Sequence, residues 1–199
     1  MRLRTARYDP PMMHTSTEIP AHYRSAVRTL LRFAVVATIV ALLSGVAFQE
    51  SSKKLTYAEV APGLRLETLL SLALVHGHIF MTAVLMPIAM ACVLFLARKV
   101  GGAELTSNSL AYLTRGYLPA VSVALLLMLY KGYHVLLAVR HGEHDLAIVD
   151  ADFFGGMLGL RHAVYGVTHV TMAVALIIFL VRVSRSLRTA RLHERVGTA

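Results

Sequence analysis

The sequence predicts an all-α membrane protein, a four-transmembrane-helix bundle with both termini cytoplasmic. Three observations carry that reading. Hydrophobic residues fill 56% of the 199 positions and the mean hydropathy is +0.62, too apolar for a domain that turns its surface to water. Four apolar stretches are each long enough to cross a hydrocarbon core of about 30 Å. The basic residues gather at the ends of those stretches, where topology and anionic headgroups explain them, so the formal net charge of +9 does not call for nucleic acid.

Residues 1–26 read as a polar, basic tail, with Pro10-Pro11, the hydroxyl-rich Thr15-Ser16-Thr17, and Pro20 as a helix start. Met12-Met13-His14 within it is a loose copper motif that coincidence explains as well. The transmembrane domain covers 27–184. Its first span is 27–48. A signal peptide cut at Ser44-Gly45-Val46-Ala47 is the competing reading, but the apolar part is too long for a signal core and a polar tail precedes it. A mixed-charge loop over 49–67 turns at Pro62-Gly63. The second, third and fourth spans are 69–97, 110–139 and 158–183, and 185–199 is a basic tail. Pro87 and Pro119 should kink the second and third spans, because each removes a backbone donor. Cys92, the one cysteine, excludes an intrachain disulfide and reads as a small residue of the helix interfaces.

Orientation follows from charge. The N-terminal tail and first span carry Arg2, Arg4, Arg7, Arg24, Arg28 and Arg32, and the second loop carries Arg98, Lys99 and Arg115. The C-terminus adds Arg182, Arg185, Arg188, Arg191 and Arg195. These belong in the cytoplasm, whereas the third loop, with Glu143, Asp145, Asp150 and Asp152, faces outward. The expected location is the bacterial inner (plasma) membrane.

Ionisable side chains at membrane depth are costly, so they mark function and need partners. At a rise of about 1.5 Å per residue, His76, His78 and His169 lie roughly 10–17 Å below the outer boundary, and Lys131 and His134 about 12 and 8 Å below it. Tyr130, Tyr133, His162 and Tyr165 occupy the same outer half. His162, Tyr165 and His169 make one stripe, as do Lys131 and His134. His76 and His78 are about 200° apart around their helix and cannot both address one centre. Gly77, Gly132 and Gly166 beside them either allow close helix contact or make room for a flat ligand.

Imidazoles from facing helices at one depth suit axial ligation of haem b, with His169 on one side and His76 or His78 on the other. Lys131 then either reaches a haem propionate or snorkels outward, and His134 is an alternative ligand, a propionate partner or part of a quinol pocket with Tyr130 and Tyr133. The same set, His76, His78 and His169, is also the candidate metal set. The loop histidines His141 and His144 are better explained by a solvated acidic loop, and Met81, Met86, Met90 and Met128 by the core.

Ser44-Gly45-Val46-Ala47-Phe48, His76-Gly77-His78, Lys131-Gly132 and Gly166-Val167-Thr168-His169 together resemble a family of small bacterial four-helix membrane proteins known only as a domain of unknown function. The resemblance spans about Gly45 to Arg185. This chain has Tyr117-Leu118 where that family often has a Tyr-His pair, and the family usually lacks a histidine matching His134. His76-Gly77-His78-Ile79-Phe80-Met81 with Met86-Pro87 also resembles the haem-ligating helix of the catalytic subunit of haem–copper oxidases, which by analogy implies His76 as a ligand. The remaining helices and copper ligands of that subunit are missing, so oxygen reduction is not implied.

The leading expectation is therefore electron transfer through one haem b, from quinol or another donor, to or from a redox partner on the outer face. The alternatives are Zn²⁺ or Cu⁺ handling or proton-coupled transport or sensing by the same histidines, and a non-catalytic accessory subunit. Nucleophile–base pairs, P-loops and dinucleotide fingerprints are absent from the sequence.

Overall fold

A computed structural model describes the backbone of residues 19–197 except residue 59, and side chains as far as residue 188. The tail motif Met12-Met13-His14 lies outside the described residues. The helices are α1 (Ala21–Ser52), α2 (Pro62–Lys99), α3 (Ser107–Arg140), the short α4 (Leu146–Asp152) and α5 (Leu158–Gly197). α1, α2, α3 and α5 are the four long enough and apolar enough to cross a membrane. Each extends beyond the apolar run that announces it. α1 begins at Ala21, inside the stretch read as tail, with Pro20 before its first turn, and α5 continues as helix to Gly197 where a tail was expected. Hydrocarbon thickness limits the apolar run, but a helix can continue into the headgroups on polar residues.

The prolines, expected to kink their helices, change the hydrogen-bond ladder ahead of them. Ahead of Pro87 and Pro119 the backbone widens into π turns at Ile79–Leu85 and Tyr112–Tyr117, and the residues that close them, Met86 and Leu118, donate to the carbonyls of Met81 and Leu113 five residues back. A proline at the next position has no N–H, so the next carbonyl in line loses its donor. For Pro87 that carbonyl is Thr82. The Tyr117 hydroxyl, from the π turn of α3, donates to it at 2.9 Å. The Thr82 hydroxyl in turn donates to the His78 carbonyl at 2.7 Å. The two irregular segments are thus tied together, and the freed backbone is satisfied where water is excluded.

α1 lies along the length of α2, the first half of α2 along the second half of α3, and α5 along α3 and the last part of α2. One core occupies the end where α1 begins and α5 runs out, with Leu30, Leu94, Leu113, Val121 and Phe179 from all four long helices. A smaller cluster, Leu55, Leu69, Leu72, Leu136 and Val139, fills the other end without α5. The start of α1 and the Ser186 turn of α5 meet the same segment at the first end: the Leu105 N–H donates to the Tyr23 hydroxyl at 2.7 Å, and the Ser186 hydroxyl donates to the Ala103 carbonyl. Gly102 allows the latter approach, since a Cβ there would come within 2.9 Å of the Ser186 Oγ. Among the methionines assigned to the core, Met90 is buried, Met86 and Met128 are half-buried, and Met81 is exposed. Cys92 is exposed on α2 rather than held between helices.

Candidate functional site

Two contacts set the relative level of the predicted site residues. Leu72 of α2 meets Gly132 of α3 so closely that a Cβ on the glycine would lie 2.6 Å from the Leu72 Cδ2. The Tyr165 hydroxyl of α5 donates to the Leu127 carbonyl of α3 at 3.3 Å. Counting down from the Gly132 level places His78 about 9 Å and His169 roughly 13 Å deeper, within about one helical turn of each other.

The predicted site residues then divide into two groups. His76, His134 and Lys131 face other parts of this chain. His76 stacks on Phe48 of α1 with ring centroids 6.5 Å apart, and its Nδ1 is buried with no hydrogen-bond partner. His134 Nε2 lies 3.0 Å from the Val149 carbonyl oxygen of α4, under the rings of Tyr130 and Phe153. Lys131 Nζ lies 3.1 Å from Asp150, and Arg161 of α5 grips the same carboxylate at 2.8 and 3.0 Å. The Arg161 hydrogen bonds, then the Lys131 ammonium, hold the Asp150 carboxyl below the usual carboxylate range. Periodicity put Lys131 and His134 on one face of their helix but could not have found this triad, because Asp150 reaches it from a loop helix.

His78 and His169 form the second group, and both are exposed. His78 Nδ1 sits 2.9 Å from the Leu74 carbonyl oxygen and His169 Nδ1 2.8 Å from that of Tyr165, each four residues back along its own helix. A carbonyl oxygen only accepts, so in the neutral rings the proton sits on Nδ1 and Nε2 presents a free lone pair. Backbone orientation of this kind is how metal-binding imidazoles are commonly held. The Tyr165 ring stacks on His169 at a centroid distance of 6.2 Å.

The flanking glycines separate in the same way. Gly132 serves close helix contact, as its clash with Leu72 demonstrates, whereas a Cβ at Gly77 or Gly166 would meet nothing within 4 Å. Space is open beside the two histidines whose Nε2 atoms are free. Above His169 on its own stripe, Lys131, Arg161, His162 and Tyr165 line a small cleft of about 240 Å³. Two cations there share one carboxylate, leaving a positive excess suited to an anionic group.

Comparison with known proteins decides nothing further. No protein-family model, curated protein or solved structure matches the chain. The chemistry must therefore be read from the side chains themselves. Among the described residues, no three of the His, Cys, Asp and Glu side chains are grouped so as to hold a metal ion, so His76, His78 and His169 do not form a three-ligand centre. His76 points toward α1, and α2 and α5 lie on different flanks of α3 in this half of the bundle. The loop residues His141 and His144 are exposed and stand apart from the transmembrane histidines.

Proposed function

We propose that this is a multi-pass protein of the bacterial inner membrane, termini cytoplasmic, that binds haem b on the outer half of the bundle for electron transfer. The observation that carries the reading is the matched state of His78 and His169. Each ring is oriented by a backbone carbonyl, has a free Nε2, and sits beside a glycine with open space. An imidazole nitrogen left unpaired at membrane depth is costly, and ligation to iron removes that cost. His169 would hold the iron, beneath the cleft of Lys131, Arg161 and His162 that would receive the propionates, and His78, on a different flank of α3, would supply a second imidazole only from a neighbouring copy of the chain. Bound there, a b-type haem supplies one-electron transfer. This chain's own residues orient the rings, shield His76 and His134 inside the fold, and hold a positive charge at the outer end. Quinol is the membrane-soluble donor such a site suits, with a redox partner on the outer face. Between the two α2 histidines, the reading selects His78 over His76.

The test is a reduced-minus-oxidised spectrum of protein purified from haem-replete cells. A sharp b-type alpha band is expected in the unaltered protein and in His76→Ala, and its loss in His78→Ala and His169→Ala. The absence of any band in the unaltered protein, or a band that survives loss of both His78 and His169, ends the reading.

A further inference from the structure

At the opposite end of the bundle, α1 and the end of α2 enclose a groove of about 1040 Å³ that the electron-transfer reading does not use. Its walls are apolar, with Leu31 and Val35 from α1 and Leu94 and Phe95 from α2. Its rim is cationic: Arg24, Arg28 and Arg32 from α1, and Arg98 and Lys99 from α2. Among the described residues, no aspartate or glutamate lines it. Arg98 donates to the Gly102 carbonyl at 3.1 Å and Lys99 lies over the Phe95 ring, while Arg24, Arg28 and Arg32 make no ion pair among the described residues.

The three α1 arginines are spaced four apart and form one stripe along the groove. α1 has 32 residues and is about 48 Å long, roughly 18 Å more than the hydrocarbon core. With that excess shared between its ends, Arg24 and Arg28 lie at headgroup level and Arg32 about one turn inside. A guanidinium at that depth needs an anion that can follow it down, and one whose remainder is compatible with Leu31, Val35, Leu94 and Phe95. We infer that the groove is a binding site for an anionic phospholipid, its phosphate held by Arg24, Arg28 and Arg32 and an acyl chain laid between α1 and α2. Charge complementarity selects this occupant over a second copy of the chain, whose same face would bring like charges together.

The chain has no tryptophan, so one introduced residue reports its own surroundings. Phe95→Trp places the reporter in the groove, and Leu126→Trp places a control on an exposed position of α3 that does not line it. Each protein is reconstituted in mixed vesicles in which either phosphatidylglycerol or phosphatidylcholine carries brominated acyl chains, and quenching is measured. The groove reporter should favour phosphatidylglycerol by about fivefold for each arginine that engages the phosphate, and the control reporter should show a ratio near one. Arg28→Gln with Arg32→Gln should bring the groove ratio down toward the control. Equal ratios at the two positions overturn the proposal, whether both are near one or both are raised, since the latter is a general surface attraction. So does a groove reporter shielded from both lipids that becomes exposed on dilution, which would mean a second copy covers it. If the double variant fails to insert, the comparison of the two reporters in otherwise unaltered protein decides alone.

Discussion

Tyr117→Phe removes one oxygen from the interior and leaves the ring in place. Tyr117 is 2% exposed, and its hydroxyl is the donor to the Thr82 carbonyl that Pro87 deprives of a backbone partner. In water-soluble proteins, leaving a buried carbonyl unpaired costs about 1–3 kcal/mol. Side-chain hydrogen bonds between membrane helices average only about 0.6 kcal/mol, because the dissociated helices find other partners. α2 has a partial escape of that kind: reverting its π turn to α geometry would pair Thr82 with the Met86 N–H, but would drive the Pro87 ring toward the Ala83 carbonyl. The expected cost is therefore about 1–2 kcal/mol, a roughly 5- to 30-fold shift in the folded-to-unfolded ratio. Reversible unfolding in mixed detergent micelles measures it. The mechanism is checked by a cycle with Pro87→Ala, which restores an N–H five residues beyond Thr82. In that background Tyr117→Phe should cost about half as much or less. A penalty that is undiminished by Pro87→Ala, or one below about 0.3 kcal/mol with the proline present, would refute the account of why these two irregular turns face each other.

Further outcomes follow from the glycines, the outer triad and Tyr165. Gly132→Ala should destabilise the bundle by about 1–3 kcal/mol, because Leu72 is itself buried against it, whereas Gly77→Ala and Gly166→Ala should be neutral or slightly stabilising in haem-free protein; the same unfolding assay separates them. Asp150→Asn should loosen α5 from α3 at neutral pH, seen as a broader spin-label distance distribution between the outer ends of the two helices. The Asp150 carboxyl is held below its ordinary value of about 3.9, so its contribution is fully present above that value and is lost as the pH falls through the lower folded value. The distances should accordingly be constant from neutral pH to about 4 and broaden only below it, and broadening that begins near pH 6 would contradict the assignment. Tyr165→Phe, whose hydroxyl bond is longer at 3.3 Å and whose side chain is half-buried where Tyr117 is fully buried, should cost less than Tyr117→Phe by the same measurement.

Hydropathy and charge determined on their own that the chain is helical and that four segments can cross a membrane, though not how far α1, α2 and α5 run beyond their apolar stretches. Those properties depend on summed transfer free energies along a local stretch, and they survive any arrangement of the helices. Periodicity also determined that His76 and His78 face different ways and that His162, Tyr165 and His169 share a stripe, since the helical turn is a local constant. The sequence could not say which neighbour each face meets. Only the tertiary structure decided that His76 lies against Phe48, that Lys131 is engaged by a carboxylate from the loop helix α4, and that Gly132 is a contact glycine while Gly77 and Gly166 border open space. Nor did the sequence announce that Pro87 and Pro119 widen their helices, because that depends on Tyr117 arriving from another helix to satisfy Thr82. Contacts between helices are set by the shapes of two surfaces at once, and a linear pattern describes one surface at a time.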